Sequence, residues 1–383
     1  MKKKLLCLAL ASAISLAAQA ADKVKVGFVS TLSGPGGVLG VAIRDGFQLG
    51  IEHAGGKLGG LPVEVLIEDD QQKPDVAKQL AEKLIKRDKV DFMTGIVFQN
   101  ILQAAQATVL GAETYYVSPN TGPSDLAGAG CNPYFFAVSW VSDSYSEATG
   151  KNMTDKGYKN VFVIAPNYPG GKDVVNGFKR YYKGNYAGEA YTKLGQLDYA
   201  VEISQMRAAK PDAVFFFLPG GMGVNFLKQW QQAGMNKDFP LFGTGWSFDQ
   251  DTLAAVGEPT LGALNTSHWN LDLDNAANKK FVADFEKKYG RLPNEFAAQG
   301  YDAPRLTRSV WEACQRGGGA RMTPAEAAGA IRTVAHVLKI GWVAEALDVP
   351  AQIICPRSAA CPRAAPCAAA GSGPRAAGHG QEA

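Results

Sequence analysis

The chain has 383 residues, of which 20% are charged, and it carries 39 lysines and arginines against 36 aspartates and glutamates. The formal charge of +3 equals the lysines at positions 2–4, so the remainder of the chain is close to neutral. This balance argues against nucleic acid or an acidic lipid surface as a partner, and the length suits about two domains.

Residues 1–20 have the layout of a secretory signal peptide. The lysines are followed by an apolar run from Leu5 to Ala18 and by a small-x-small triplet that ends at Ala20. The run is shorter than the roughly 20 residues of a membrane-spanning helix, and Cys7 lies within it rather than at a lipoprotein processing position. The pattern predicts cleavage after Ala20 and export of the remainder.

From residue 23 the chain alternates predicted strands with predicted helices. Residues 23–29 alternate polar and apolar side chains as a strand does, and a glycine-rich loop at 33–37 precedes a helical pattern that reaches Ile51. The apolar run 215–218 predicts a central strand that is buried on both faces. Strand, loop and helix recur at 62–67 with 74–87, 90–94 with 100–110, 160–165 with 171–183, and 213–218 with 221–233. The alternation predicts an α/β fold with parallel sheets covered by helices on both faces, whose ligands bind beyond the carboxyl ends of the strands.

Two extended segments interrupt the alternation, at 134–143 and at 264–269. Neither has the Gly/Ser composition of a flexible linker, so we interpret both as crossings between two lobes that act as a hinge. The predicted division places lobe 1 at 21–139 plus 270–335 and lobe 2 at 140–269.

The chain lacks the sequence motifs of the common catalytic sites, namely the G-x-S-x-G nucleophile elbow, the Walker phosphate loop and the H-E-x-x-H helix. The loop 34–40 approaches a dinucleotide fingerprint but carries Leu39 in place of the third glycine. Asp69 and Asp70 follow a strand, and we interpret them as a solvated cap of the next helix rather than as acid/base groups. No catalytic residue, cofactor or metal site is predicted, because no histidine has ligand spacing to a cysteine or to another histidine. The histidines are His53, His268, His336 and His379.

Five segments that follow one another along the chain carry a family resemblance. They are 27–35, 133–136, 165–168, 219–226 and 281–289. Together they resemble the type I periplasmic binding proteins of the branched-chain amino acid importer class, and they look closest to the subgroup that binds aromatic acids such as benzoate, hydroxybenzoate and cinnamate derivatives. The resemblance implies a periplasmic monomer with two three-layer α/β/α lobes, joined by crossings, that close on a small-molecule ligand.

In the family, loops that follow the strands of lobe 1 bind the carboxylate of the ligand. The resemblance places this role on two loops that contain Phe98, Gln99, Asn100, Asn120, Thr121 and Gly122. Backbone N–H groups at the start of a helix are unpaired and carry partial positive charge, so they hold an anion without Arg or Lys. The alternative interpretation is that 118–122 forms only a turn.

In lobe 2, the contact positions that the resemblance implies are Tyr168, Met222, Trp246, Ser247 and Phe248. Amino-acid-binding relatives place an acidic residue near the last of these positions to pair with the ligand ammonium, and residues 243–248 contain none. A buried ammonium without a partner is costly, whereas a neutral ring gains from surrounding aromatic side chains. The pattern therefore favours an aromatic carboxylate.

Three site positions are predicted with a further qualification. Leu39 matches a position where relatives often place an aromatic ring against the ligand. The alternative interpretation of Phe98 and Phe248 is that they are ordinary core residues.

The C-terminal segment departs from the family pattern. Residues 323–326 have the pattern of a helix start, but no aromatic residue follows Trp342, and Ala, Pro and Gly make up 20 of the last 34 residues. We hypothesise that the reading frame is lost shortly after Ile331, which leaves 336–383 as an unrelated tail. In the family a cysteine near this end could bridge to the position of Cys131, and no such mate is recognisable here.

The predicted function is that of a substrate-binding component of an ABC importer, which captures an aromatic or other small organic carboxylate by hinge closure. Its partners would be an inner-membrane permease and separate ATPase subunits, since the chain has no ATPase motif. Two alternatives keep the fold, namely a leucine-type amino acid binder and a ligand-sensing receptor in signalling or chemotaxis. A third is an exported enzyme that uses Tyr168 with a carboxylate in the cleft.

Overall fold

The computed structural model describes residues 23–316 with the exception of 140 and 261. The predicted signal peptide, the helix start at 323–326, the loss of reading frame after Ile331 and the tail at 336–383 lie outside the described residues. None of the helices within the described part is both long enough and apolar enough to span a bilayer.

The first group of elements forms a six-stranded sheet with helices packed on it. It comprises β1 (Val24–Ser30), α1 (Gly37–His53), β2 (Lys57–Leu58), β3 (Leu61–Asp69), α2 (Pro74–Lys86), β4 (Phe92–Thr94), α3 (Gln99–Gly111), β5 (Tyr115–Ser118) and β6 (Phe135–Ala137). The strand order is β2-β3-β1-β4-β5-β6, and only the β2–β3 pair is antiparallel. Val26 of β1 pairs in register with Val65 of β3 and Phe92 of β4, so β1 lies inside the sheet, as its apolar sequence requires.

The second group forms a five-stranded parallel sheet. It comprises α4 (Glu147–Asp155), β7 (Asn160–Pro166), α5 (Pro169–Tyr181), β8 (Asn185–Thr192), α6 (Ala200–Ala209), β9 (Ala213–Phe216), α7 (Gly221–Gln232), β10 (Leu241–Thr244), α8 (Gln250–Val256) and β11 (Leu264–Thr266). The strand order is β11-β10-β9-β7-β8. Strand β9 is therefore central, as the apolar run 215–218 predicts, and Phe215 and Phe216 are fully buried.

Both predicted crossings begin as edge strands of the sheet that the chain is leaving, since β6 pairs with β5 and β11 pairs with β10. The chain then returns to the first group through α9 (Ala276–Tyr289) and α10 (Glu295–Arg316). There the Tyr289 hydroxyl donates to the Asp45 carbonyl at 2.8 Å. The predicted α/β fold with parallel sheets in two lobes is confirmed, whereas the exact lobe boundaries stay a prediction.

Two predicted element boundaries shift at the ends of strands of lobe 2. Helix α5 begins at Pro169 rather than at residue 171, because proline fits the first helical position, where no N–H is needed. Strand β9 ends at Phe216 rather than at Leu218. Phe217 and Leu218 therefore lie beyond the end of the strand, where parallel sheets bind their ligands.

Asp69 and Asp70 do not cap the following helix, so that prediction is wrong. The N-cap position of α2 is Lys73. Asp69 Oδ1 accepts from the Leu32 N–H at 2.9 Å, and Asp70 Oδ1 accepts from the Thr31 hydroxyl at 2.6 Å. Asp70 is fully buried, and this burial raises its pKa. The two carboxylates hold the loop after β1 because β1 and β3 end side by side.

Helices α1 and α10 approach each other closely at a glycine. A Cβ atom at Gly46 would overlap the carbonyl oxygen of Ala297 and would lie 2.9 Å from the backbone nitrogen of Tyr301. Only glycine leaves room for this contact. The contact fixes the position of α10 and therefore of Phe296, which reaches the cleft from the start of this helix.

Candidate functional site

A cavity that is partly open to solvent lies where the two lobes meet. Lobe 1 contributes residues that follow β4 and β5, and lobe 2 contributes residues that follow β7, β9 and β10. Because parallel strands end at one edge of a sheet, these junctions converge. The cavity is lined by Leu39, Val97, Phe98, Gln99, Asn120, Thr121, Ser142, Tyr168, Gly170, Val174, Phe217, Pro219, Trp246 and Phe296.

The structure brings together most of the residues that the sequence predicts as ligand contacts. Those on the cavity wall are Leu39, Phe98, Gln99, Asn120, Thr121, Tyr168 and Trp246. They come from both lobes, so a ligand in the cavity would contact both. Their role in binding stays a prediction.

The other predicted contact residues in lobe 2 lie behind the wall. The Met222 sulfur accepts from the Gly195 N–H at 3.2 Å, and the Ser247 hydroxyl oxygen accepts from the Leu218 N–H at 3.0 Å. Phe248 packs edge to face on Phe216, with ring centroids 4.8 Å apart. The structure thus places Phe248 in the core, which is the alternative considered for it.

The remaining predicted residues in lobe 1 also lie off the wall. Asn100 is in the first turn of α3, and its buried Oδ1 has no partner among the described residues. The Gly122 N–H donates to the Ser142 hydroxyl oxygen at 3.3 Å. Gly122 therefore supports the wall through Ser142.

The sequence does not predict several residues of the cavity wall. Phe217 and Pro219 follow β9, so the rule that ligands bind beyond strand ends could have found them. Phe296 and Ser142 come from the start of α10 and from the first crossing, where no local pattern marks a site. The others are Val97, Gly170 and Val174.

Three wall residues carry a buried polar atom that has no hydrogen-bond partner within the described protein. These atoms are Asn120 Oδ1, Thr121 Oγ1 and Trp246 Nε1. A buried polar group without a partner costs about 1–3 kcal/mol. A ligand that supplies the missing partners would therefore recover this free energy when it binds.

The electrostatic character of the cavity comes from helix ends rather than from charged side chains. No Asp, Glu, Lys or Arg is among its described lining residues. Helices α3, α5 and α7 begin here, and none of their N-cap residues makes a side-chain capping bond. Since the first N–H groups of a helix have no acceptor within it and carry positive partial charge, they suit a carboxylate.

Aromatic rings form the apolar part of the wall. Phe98 of lobe 1 meets Tyr168 of lobe 2 edge to face, with centroids 6.2 Å apart, and Phe217 meets Trp246 at 5.8 Å. Burial, reinforced by the Asp173 carboxylate, raises the pKa of Tyr168 above its ordinary value. A phenol that stays protonated is a poor general base, which argues against an enzyme that uses Tyr168.

The family model of the periplasmic binding proteins matches residues 23–341. The chain belongs to this family. Leu/Ile/Val-binding protein homolog 6 of Brucella melitensis is 29% identical over 296 residues, which cover 75% of each protein. Within the family, the binding protein acts as the solute-binding part of an ABC transporter, and the prediction that it is not an enzyme is confirmed.

Solved structures of ABC transporter solute-binding proteins are similar over most of the chain. One from R. palustris in complex with benzoate is 29% identical, with a TM-score of 0.73 and coverage of 82% of this chain and 85% of that one. Another, from Rhodopseudomonas palustris BisB5 in complex with 3,4-dihydroxybenzoic acid, is 30% identical, with a TM-score of 0.73 and coverage of 78% and 82%.

The lobes of the binding protein contact each other across the cavity through Asp173 on α5. Its Oδ2 accepts from the Gln99 side-chain amide at 2.8 Å and from the Ser124 N–H at 3.3 Å. Both donors belong to lobe 1. The structure therefore shows a closed arrangement of the lobes.

Glu295, at the start of α10, contacts Tyr145, just after the first crossing, and His268 of the second crossing. Its Oε1 accepts from the Tyr145 hydroxyl and lies 2.9 Å from His268 Nδ1, at an angle that does not form a hydrogen bond. The Tyr145 ring stacks on Trp246, with centroids 3.9 Å apart. A Cβ at Gly245 would collide with the other oxygen of Glu295. The position of Trp246 therefore depends on Glu295.

Asp249 lies three residues after the wall residue Trp246. Its buried carboxyl group makes the stability of the binding protein depend on pH in a predictable direction. Its Oδ1 caps α8 by accepting from the Thr252 N–H at 2.7 Å, and burial raises its pKa from 3.8 to about 7. Folding therefore takes up a proton between these values, so the free energy of unfolding falls as the pH rises through this window. At neutral to alkaline pH, burial of the Asp249 carboxylate lowers the free energy of unfolding by up to about 4 kcal/mol.

Asp249→Asn is expected to keep the cap and to remove this dependence. Urea denaturation at pH 5 and pH 8 should show a smaller stability difference between the two pH values in the variant than in the wild type. Asp75→Asn, an exposed position in the first turn of α2, should leave the difference unchanged. Equal pH differences in wild type and Asp249→Asn would contradict the assignment.

Proposed function

We propose that the binding protein is exported to the periplasm, captures an aromatic carboxylate as a monomer, and delivers it to the permease and ATPase subunits of an ABC importer. The ligand class rests on one observation, a cavity with aromatic rings from both lobes and no charged side chain among its described lining residues. The carboxylate would lie at the start of α3 beside Thr121, and the ring between Phe98, Tyr168 and Trp246.

An amino acid would bring an ammonium group into the cavity together with its carboxylate. Two acidic side chains lie behind the wall. Asp173 accepts from Gln99 and Ser124. Glu295 accepts from Tyr145 through Oε1, while its Oε2 has no partner among the described residues. A buried ammonium without a counter-charge costs several kcal/mol. Because neither carboxylate is among the described lining residues, the site favours a ligand with a single charged group.

The solved relatives support the same ligand class, since the two described above hold benzoate and 3,4-dihydroxybenzoic acid. The curated relative from Brucella melitensis is named for leucine, isoleucine and valine. A branched-chain amino acid is therefore the second candidate ligand.

Closure would follow from contacts that exist only when the lobes are together. A ligand held by Thr121 in lobe 1 meets Tyr168 and Trp246 of lobe 2 only in the closed arrangement. This differential affinity is what shifts the population toward closure. The bonds from Gln99 and Ser124 to Asp173 stabilise the same arrangement.

Calorimetric titration of the full chain, freed of bound ligand by unfolding and refolding, tests the proposal. Benzoate, 4-hydroxybenzoate, 3,4-dihydroxybenzoate, leucine and isoleucine are titrated separately. We expect binding heat and a raised melting temperature with the aromatic acids, since a ligand at 100 times its Kd adds about 2.7 kcal/mol to stability. Heat from leucine and isoleucine alone would make the second candidate correct.

Thr121→Val is expected to weaken the binding of aromatic carboxylates by about tenfold or more, because it removes a donor to a charged group. The matched control is Thr192→Val. Thr192 also carries a buried hydroxyl without a partner among the described residues, and it is not on the cavity wall. If both variants lose affinity equally, Thr121 does not bind the carboxylate.

A further inference from the structure

The indole N–H of Trp246 is a buried donor without an acceptor in the described part of the protein. The residue is 5% exposed and lies on the cavity wall. A buried tryptophan N–H normally has a partner, because otherwise it loses its hydrogen bond to water without compensation. Trp269 shows the ordinary case, since its Nε1 donates to Asn278 Oδ1 at 2.7 Å.

The side chains packed around Trp246 do not supply the missing acceptor. Tyr145 covers one face of the indole, with an interplanar angle of 11°, and its hydroxyl is directed to Glu295. Phe217 meets the indole at an angle of 60° and has no polar atom. Trp246 also lines the cavity, so an acceptor on a bound ligand is available to pair with the indole N–H.

We infer that Trp246 is a specificity-determining residue that donates to an oxygen substituent on the ring of the ligand, so that the site is built for hydroxylated aromatic acids. The inference rests on the proposed function and narrows its ligand class. Thr121 and Trp246 belong to different lobes, so a ligand with a carboxylate at one end and a ring oxygen at the other satisfies both unpartnered groups at once.

A ligand without the second oxygen leaves the indole N–H unpaired in the closed protein. Sites built to bond a ligand hydroxyl reject an analogue that lacks it, because their own polar groups then stay buried without partners. The site is therefore expected to bind aromatic acids with unsubstituted or methyl-substituted rings less tightly than hydroxylated ones. A methyl group fills nearly the same space as a hydroxyl but accepts no hydrogen bond.

The test compares benzoate, 3- and 4-methylbenzoate, and 3- and 4-hydroxybenzoate by calorimetry on the wild type and on Trp246→Phe. We expect the wild type to bind at least one hydroxybenzoate about tenfold or more tightly than the methylbenzoate of the same position. In Trp246→Phe the ratio of the hydroxybenzoate and methylbenzoate affinities should fall to about one. Trp269→Phe, which removes an indole N–H outside the cavity wall, should keep the preference.

The outcomes separate this inference from the proposed function. If no aromatic acid binds the wild type, both fail. If aromatic acids bind but the wild type does not distinguish hydroxyl from methyl, or if Trp246→Phe keeps the preference, only the inference fails. Should Trp246→Phe not fold, the hydroxyl and methyl series on the wild type still decides whether the second oxygen is recognised.

Discussion

Gly46→Ala is expected to lower the free energy of unfolding by about 3 kcal/mol, as strong overpacking does. A methyl group there would overlap the Ala297 carbonyl oxygen and would lie 2.8 Å from the Ala297 carbonyl carbon. Both neighbours are backbone atoms of α10, which cannot rotate away, so α1 and α10 would have to separate. Urea denaturation of the variant and the wild type measures the loss.

The consequence reaches the ligand, because α1 carries Leu39 and α10 carries Phe296 on the cavity wall. We therefore expect Gly46→Ala to weaken ligand binding as well as folding. Gly111→Ala is the control, since a Cβ at this last residue of α3 meets nothing within 4 Å, and alanine favours the helix. Equal stability of the two variants would show that α1 and α10 can adjust at no cost.

Strand ends and the family resemblance together predict much of the cavity wall. Phe98 and Tyr168 follow predicted strands, whereas Thr121 and Trp246 are placed in the site by the family resemblance, and all four line the cavity. The rule for parallel sheets needs only the order of strands and helices, which hydrophobic periodicity reveals locally. The positions of Phe98 and Tyr168 are therefore encoded by short-range patterns.

Other parts of the site depend on contacts that no local pattern carries. Phe296 reaches the cavity only because α10 packs on α1 after the second crossing. Met222 and Phe248 also follow strands, yet they turn toward the core of lobe 2, where Phe248 packs on Phe216. Position after a strand predicts nearness to the cleft but not the direction of a side chain.

The cavity combines two features that explain how it could hold an anion without a basic residue. The starts of α3, α5 and α7 supply N–H groups from both lobes, and aromatic rings beside them lower the polarity of their surroundings. Electrostatic attraction between helix ends and a carboxylate is stronger in such an environment than in water. Lobe closure therefore strengthens the attraction that first captures the ligand.

Glu295→Ala is expected to destabilise the protein by about 3 kcal/mol, because it opens space in a packed region and leaves the Tyr145 hydroxyl buried without its main acceptor. Glu295 is 3% exposed, and burial, with the nearby Glu295 carboxylate, raises the pKa of Tyr145, so the phenol remains a donor. Ligand affinity should fall too, since Tyr145 supports Trp246 by stacking. Urea denaturation and calorimetric titration measure the two effects.

Glu295→Gln should recover most of both losses, because its amide oxygen can still accept from Tyr145. Glu286→Ala, an exposed position on α9 in the same lobe, should change neither stability nor affinity. If Glu295→Ala matched Glu286→Ala, the Glu295 carboxylate would be dispensable. The crossings would then be held by packing alone, and the aromatic wall would not depend on α10 for its position.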